Sequence, residues 1–187
     1  MRKVSHILLA NHIMNQEAPP TFVRYKWAFY YGSILPDIKP SFVTKRHEIG
    51  LTFYLVESKI EKLDKWEDRN SVLFYLRLGE TIHYLADYFT FPHNREYQGS
   101  MREHCFYEGR LKHRLRVYVK QLNINKPSFL DRVDMGLIRA LNSPPKICDY
   151  IKHMHREYIL NRHHTIDLDC RYITDVCTTV VLALLQH

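Results

Sequence analysis

The stretch LGETIHYLADYFTFPHN, Leu78 to Asn94, constrains this chain more than any other. It sets two strong metal ligands on one turn of a helix and a third just beyond it. His83 and Asp87 are four residues apart, so on a helix they lie ~40° from each other and project an imidazole and a carboxylate from one face. Pro92 biases Phe91 away from helical backbone, so the helix is expected to end at Phe91 and let His93 turn back toward the same site. HCFYE repeats the four-residue step with His104 and Glu108 on the next predicted helix. Two antiparallel helices that each turn a His and a carboxylate inward are a known way to build a multinuclear metal site.

A single pair of this kind is weak evidence in a chain with 12 His. Chance pairs at that spacing arise, and a lone imidazole is most often a satisfied core or surface group. Two helical His/carboxylate pairs with His93 between them, in this order, are far more specific, because a metal cluster needs many nitrogen and oxygen ligands facing one cavity.

HYLADYFTFPH followed by HCFYE resembles the zinc-dependent phospholipase C family, all-helical hydrolases with clustered zinc ions, related more distantly to single-strand nucleases of the S1/P1 type. SHILLANH, Ser5 to His12, is similar to the family's first helix, and GSILPD followed by His47 is similar to its second ligand segment. The likeness runs over roughly the first 110 residues; from Arg110 onward the chain matches only as helical. The fold this implies is all-α, a multi-helix bundle of the phospholipase C/P1 nuclease type over residues 1–187.

The resemblance also implies a ligand set. His47, His83 and Asp87 would hold one metal, and His93, His104 and Glu108 a second. Asp87 would bridge to a third, which His6 would also bind, with His12 the competitor on the same helix. Asp37 is either a direct ligand or the base that orients the attacking water; a turn aspartate after proline is the plain alternative. Secreted family members expose an N-terminal tryptophan whose amine and carbonyl complete the third site. This chain has Met1 there, so the third metal is held by the Met1 backbone, held weakly, or missing. Tyr84, Asn94 and Tyr107 neighbour the ligands and either bond to them or pack. The implied cofactor is two or three Zn2+ ions, although manganese or iron also suits His and carboxylate donors.

The function that follows is phosphodiester hydrolysis by a metal-activated water, with phospholipid the foremost substrate. The same ligands admit a single-strand nuclease, a small-molecule phosphoesterase, or a non-catalytic, metal-stabilised binding protein. Composition narrows this only a little. A chain of 187 residues, 45% apolar and 25% charged, fits one domain with a sizeable core. The formal net charge of +7 favours anionic partners, phospholipid headgroups or nucleic acid. The basic amphipathic run KHRLRVYVK, Lys112 to Lys120, could dock on an anionic membrane surface.

Cys105, Cys148, Cys170 and Cys177 show no CxxC spacing and read as free thiols of a reducing compartment. MRKVSHILLANH is a poor signal peptide, which points to the cytoplasm. VCTTVVLALL is too short to span a bilayer and reads as a buried helix end. Cys105, about 100° round the helix from His104, reads as core. His153, His155, His163 and His164 read as surface. The rings Phe22, Tyr25, Trp27, Phe29, Tyr30 and Tyr31 read as core.

Helices are expected from His6, capped by Ser5, to about Met14; from Thr21 to Ile34; and from Glu48 to Lys65, with Leu51, Leu55, Ile60 and Leu63 as its apolar stripe. The helix carrying HYLAD should be capped by Asn70 or Ser71. Further helices are expected over 100–122, 128–141 and up to 160, and from Thr165 to the end.

Overall fold

The computed structural model describes residues 1–15, 23–38, 47–124, 134–161 and 163–186. Among these residues there are eight α-helices and no strand. They are α1 (Lys3–Met14), α2 (Lys26–Ile34), α3 (Ile49–Asp64), α4 (Val72–Tyr88), α5 (Met101–Ile124), α6 (Met135–Ala140), α7 (Pro144–Leu160) and α8 (Ile166–Gln186). Short 3-10 turns at Leu35–Asp37 and Phe91–His93 follow α2 and α4.

Helix α4 is the axis of the bundle. Ser71 caps it, its hydroxyl accepting the Phe74 N–H at 3.3 Å. From Leu78 to Tyr88 nearly every residue is buried, because α1, α2, α3 and α8 all pack against it. A helix surrounded in this way must be apolar on every side or satisfy its polar groups internally. Glu80 follows the second route, held at 2.8 Å by both Lys59 and Arg77. Helix α8 is enclosed likewise, and VCTTVVLALL is indeed buried inside it.

The crossing of α2 over α4 is set by two glycines. A Cβ on Gly32 would stand 2.2 Å from the Leu76 carbonyl oxygen, and one on Gly79 would stand 2.3 Å from that of Phe29. Only residues without a side chain let the two backbones approach so closely. Ala28, Phe29, Gly32 and Ser33 face α4, which leaves Trp27 and Tyr31 on the far side, 56% and 47% exposed. The expectation that this whole aromatic run is core is therefore corrected for those two rings; Phe22 lies outside the described residues.

Other local expectations shift for physical reasons. Helix α1 starts at Lys3, so Ser5 is a buried residue within it and no side chain caps it. The Met1 amine is anchored in the interior, which draws the first turn forward. Helix α4 stops at Tyr88 rather than Phe91. The buried stripe of α3 is Phe53, Val56, Ile60 and Leu63, with Leu51 57% exposed, because the hydroxyl of Thr52 turns inward to Tyr88. Cys105 is exposed, since rotating His104 and Glu108 inward carries it toward solvent. All four cysteines are free.

Candidate metal centre

The glycine crossing has a direct consequence at the ligands. It brings the Ser33 carbonyl 2.8 Å from His83 Nδ1, and a carbonyl can only accept, so Nδ1 carries the proton. The other nitrogen, Nε2, then presents its lone pair away from Ser33. It faces His47 Nδ1 at 3.1 Å, Asp87 Oδ2 at 3.3 Å and Asp37 Oδ1 at 3.5 Å. His47, at the start of the segment leading into α3, also meets Asp87 Oδ2 at 2.8 Å. Tyr84 packs its ring edge against His83 and tilts over His47, so its part is contact rather than ligation.

His6 comes in from α1 and stacks on His83 with 4.0 Å between ring centroids. It is buried, and neither of its ring nitrogens has a hydrogen-bond partner; Nε2 stands 3.4 Å from Asp87 Oδ1. Burial, and then the neighbouring His83, push its pKa down to about 3, so the ring is neutral at any physiological pH. His12 is buried elsewhere on α1 and joins no such group.

A third set lies where α4 exits. His93, on the turn after α4, and His104 both direct Nε2 at Glu108 Oε1, at 3.2 and 3.1 Å. The Met1 ammonium sits between this set and Asp87. It is 2.6 Å from Asp87 Oδ1, 2.8 Å from His93 Nε2 and 3.0 Å from Glu108 Oε1. Burial opposes its charge, but the two carboxylates beside it raise its pKa overall. Burial likewise opposes charge on Asp87, yet His93, the Met1 ammonium, His83 and the His47 hydrogen bond hold its carboxyl well below the ordinary range.

Three groups of side chains are thus each close enough to hold a cation: His6, His83 and Asp87; Asp37, His47 and His83; and His93, His104 and Glu108. His83 has one free lone pair, on Nε2, and serves only one of its two groups at a time. All seven sequence-derived ligand candidates and Asp37 are brought together. The grouping differs in two respects from what the resemblance implies: His83 belongs to two sets, and Asp37 stands with His47. The donor set fits a metal cluster on its chemistry. Imidazole lone pairs and carboxylate oxygens converge, and the buried His6 nitrogens make no hydrogen bond, with Nε2 3.4 Å from Asp87 Oδ1.

Behind the candidate ligands stand Asn94, which the sequence placed beside them, and two histidines that sequence reasoning missed. Asn94 donates to the carbonyls of Tyr88 and Thr90 and accepts from His155 Nε2 at 2.8 Å. His164 stacks on Phe91 at 4.1 Å. These two histidines are thus part-buried supports rather than surface groups, while His153 and His163 are exposed. No motif flags the two histidine contacts, because each joins residues more than sixty positions apart.

A family model described as zinc-dependent phospholipase C matches residues 5–165. The chain belongs to the zinc-dependent phospholipase C family. No curated protein and no solved structure matches it. The match extends well past Arg110, so α6 and α7 belong to the family's architecture, although their sequence showed only helical character.

Proposed function

We propose that this protein is a multinuclear zinc phosphoesterase, and that its substrate is a phosphodiester of phospholipid type. The observation that carries this reading is the convergence of six imidazole and carboxylate ligands and His6 around one buried region in a member of that family. The residues 1–187 would act as one unit, supported by a buried cluster running from Met1 to Leu184.

His47, His83 and Asp87 would hold one ion, and His93, His104 and Glu108 a second. His6, Asp87 and the Met1 amine offer donors for a third. Zinc bound there would supply Lewis acidity toward the phosphoryl oxygens and a water acidified to near neutrality. Asp37 would orient that water and take its proton, which passes to the departing alcohol oxygen as the phosphoester bond breaks. A carboxylate has two oxygens, so Asp37 can hold an ion with one and accept a proton with the other. Burial raises its pKa, which suits a proton acceptor.

Two features support an amphiphilic phosphate ester. A groove of about 370 Å3 runs beside His155, lined by Ile49, Ile159 and Leu160 together with Arg156, Glu96 and Lys152, the last paired with Glu57 at 2.7 Å. Its apolar walls match hydrocarbon, and its two cations outnumber the single carboxylate, Glu96, beside a phosphate. On α5, Leu111, Leu115 and Val119 are buried while Arg116 and Lys120 face outward, a basic face suited to an anionic membrane surface. No helix among the described residues is long and apolar enough to cross a membrane.

The test is hydrolysis of a short-chain phospholipid, single-stranded DNA and a chromogenic phosphodiester by zinc-loaded protein, wild type and Asp37→Asn. Lipid cleavage reduced about 100-fold or more by Asp37→Asn supports the reading. Cleavage of DNA alone would make it a nuclease, and zinc binding without turnover would make it a binding protein.

A further inference from the structure

Asp169 is a fully buried carboxylate on α8, and the chemistry proposed above does not use it. It lies four residues beyond the stretch matched to the family. Its oxygens accept three hydrogen bonds. The Tyr158 hydroxyl donates to Oδ1 at 2.7 Å; the Tyr107 hydroxyl and the Phe91 backbone N–H both donate to Oδ2, at 2.9 and 3.1 Å.

The two donors that share Oδ2 come from the two segments carrying the third ligand set. Phe91 opens the turn that ends at His93. Tyr107 sits on α5 between His104 and Glu108. One oxygen atom therefore ties the turn and the helix together from behind. Packing alone does not account for this residue, because a carboxylate enclosed by Tyr107, Tyr158 and Phe91 is costlier to bury than an apolar side chain of the same size. Burial pushes its carboxyl up to about 7, even with three donors pulling the other way.

We propose that Asp169 is the positioning residue of the His93, His104 and Glu108 set. Through Oδ2 it fixes the distance between the turn that presents His93 and the helix face that presents the other two. This rests on the reading of that set as a metal site. Groups of this kind behind metal ligands typically contribute 10–100-fold to metal affinity.

The experiment titrates Co2+ into the full chain against a competing chelator, following the cobalt absorption bands, for wild type and Asp169→Asn. One class of cobalt site should weaken by roughly 10–100-fold, with the other classes unchanged. In a His104→Ala background, Asp169→Asn should have no further effect on the remaining sites. If every class keeps its wild-type affinity, the proposal is overturned. It is equally overturned if all classes weaken together in both backgrounds, as general loosening of the fold would produce. Tyr107→Phe removes one of the two bonds at Oδ2 and should weaken the same class alone; this keeps the test decisive if Asp169→Asn does not fold. Wild-type protein that takes up no cobalt would overturn the metal reading and this proposal with it, whereas cobalt uptake indifferent to Asp169 overturns the proposal by itself.

Discussion

His83 donates its Nδ1 proton to the Ser33 carbonyl at 2.8 Å, and this one bond decides which way the lone pair of the imidazole points. The bond exists because Gly32 and Gly79 let α2 and α4 meet backbone to backbone. Helix packing and ligand orientation are therefore the same feature.

Gly79→Ala should test that link. The new Cβ would meet backbone atoms at 2.3 to 3.0 Å, which cannot move aside as a flexible side chain could. We expect a loss of about 3 kcal/mol by overpacking, read as a fall in Tm of roughly 6–12 °C. Metal retention should fall with it, because Ser33 retreats from His83. Gly50→Ala, whose Cβ would have only the Glu48 side chain near it, at 3.6 Å, should leave Tm unchanged or slightly raised.

Metal should stabilise the fold. Without it, the His6 nitrogens stay buried without a hydrogen bond, and the Met1 ammonium is the nearest cation to Asp87 and Glu108. A ligand that binds only the folded state at 100 times its Kd adds about 2.7 kcal/mol. Thermal denaturation of chelator-treated protein, repeated after adding zinc, should therefore show a rise of several degrees. The rise should disappear in His83→Ala/Asp87→Ala, and an unchanged Tm in wild type would contradict it.

His155 predicts an acid-side loss of stability in metal-free protein. Its pKa is pushed down to about 4 by burial, against 6.5 when exposed. Between those values the unfolded chain takes up a proton that the folded chain refuses, so stability falls as pH drops from about 6.5 to about 4. His155→Gln keeps a hydrogen-bonding group near Asn94 without titrating. Urea denaturation of both proteins at a series of pH values should give the variant a shallower fall across that window; parallel curves would contradict the assignment.

Much of the centre was legible in the sequence because helical spacing translates directly into geometry. His83 with Asp87 and His104 with Glu108 needed only the four-residue step. Which of His6 and His12 faces the ligands needed the structure, since α1 buries both. That the Met1 amine lies 2.6 to 3.0 Å from Asp87, His93 and Glu108 also needed the structure. Asp169 and Ser33 were illegible, because each acts on a residue tens of positions away through a bond that periodicity does not encode. The stripe of α3 was misjudged for a related reason: a Thr52 hydroxyl satisfied by Tyr88 is buried where a polar residue was expected outside. The apolar character of α8 was plain, but its role behind the His93 turn was not.

The most direct test of the account is metal content per chain, by elemental analysis of protein purified without a histidine tag and without chelator, for wild type and His83→Ala/Asp87→Ala. Wild type should carry two or three zinc ions, and the double variant should lose most of them. Folded wild-type protein with no stoichiometric metal would contradict it.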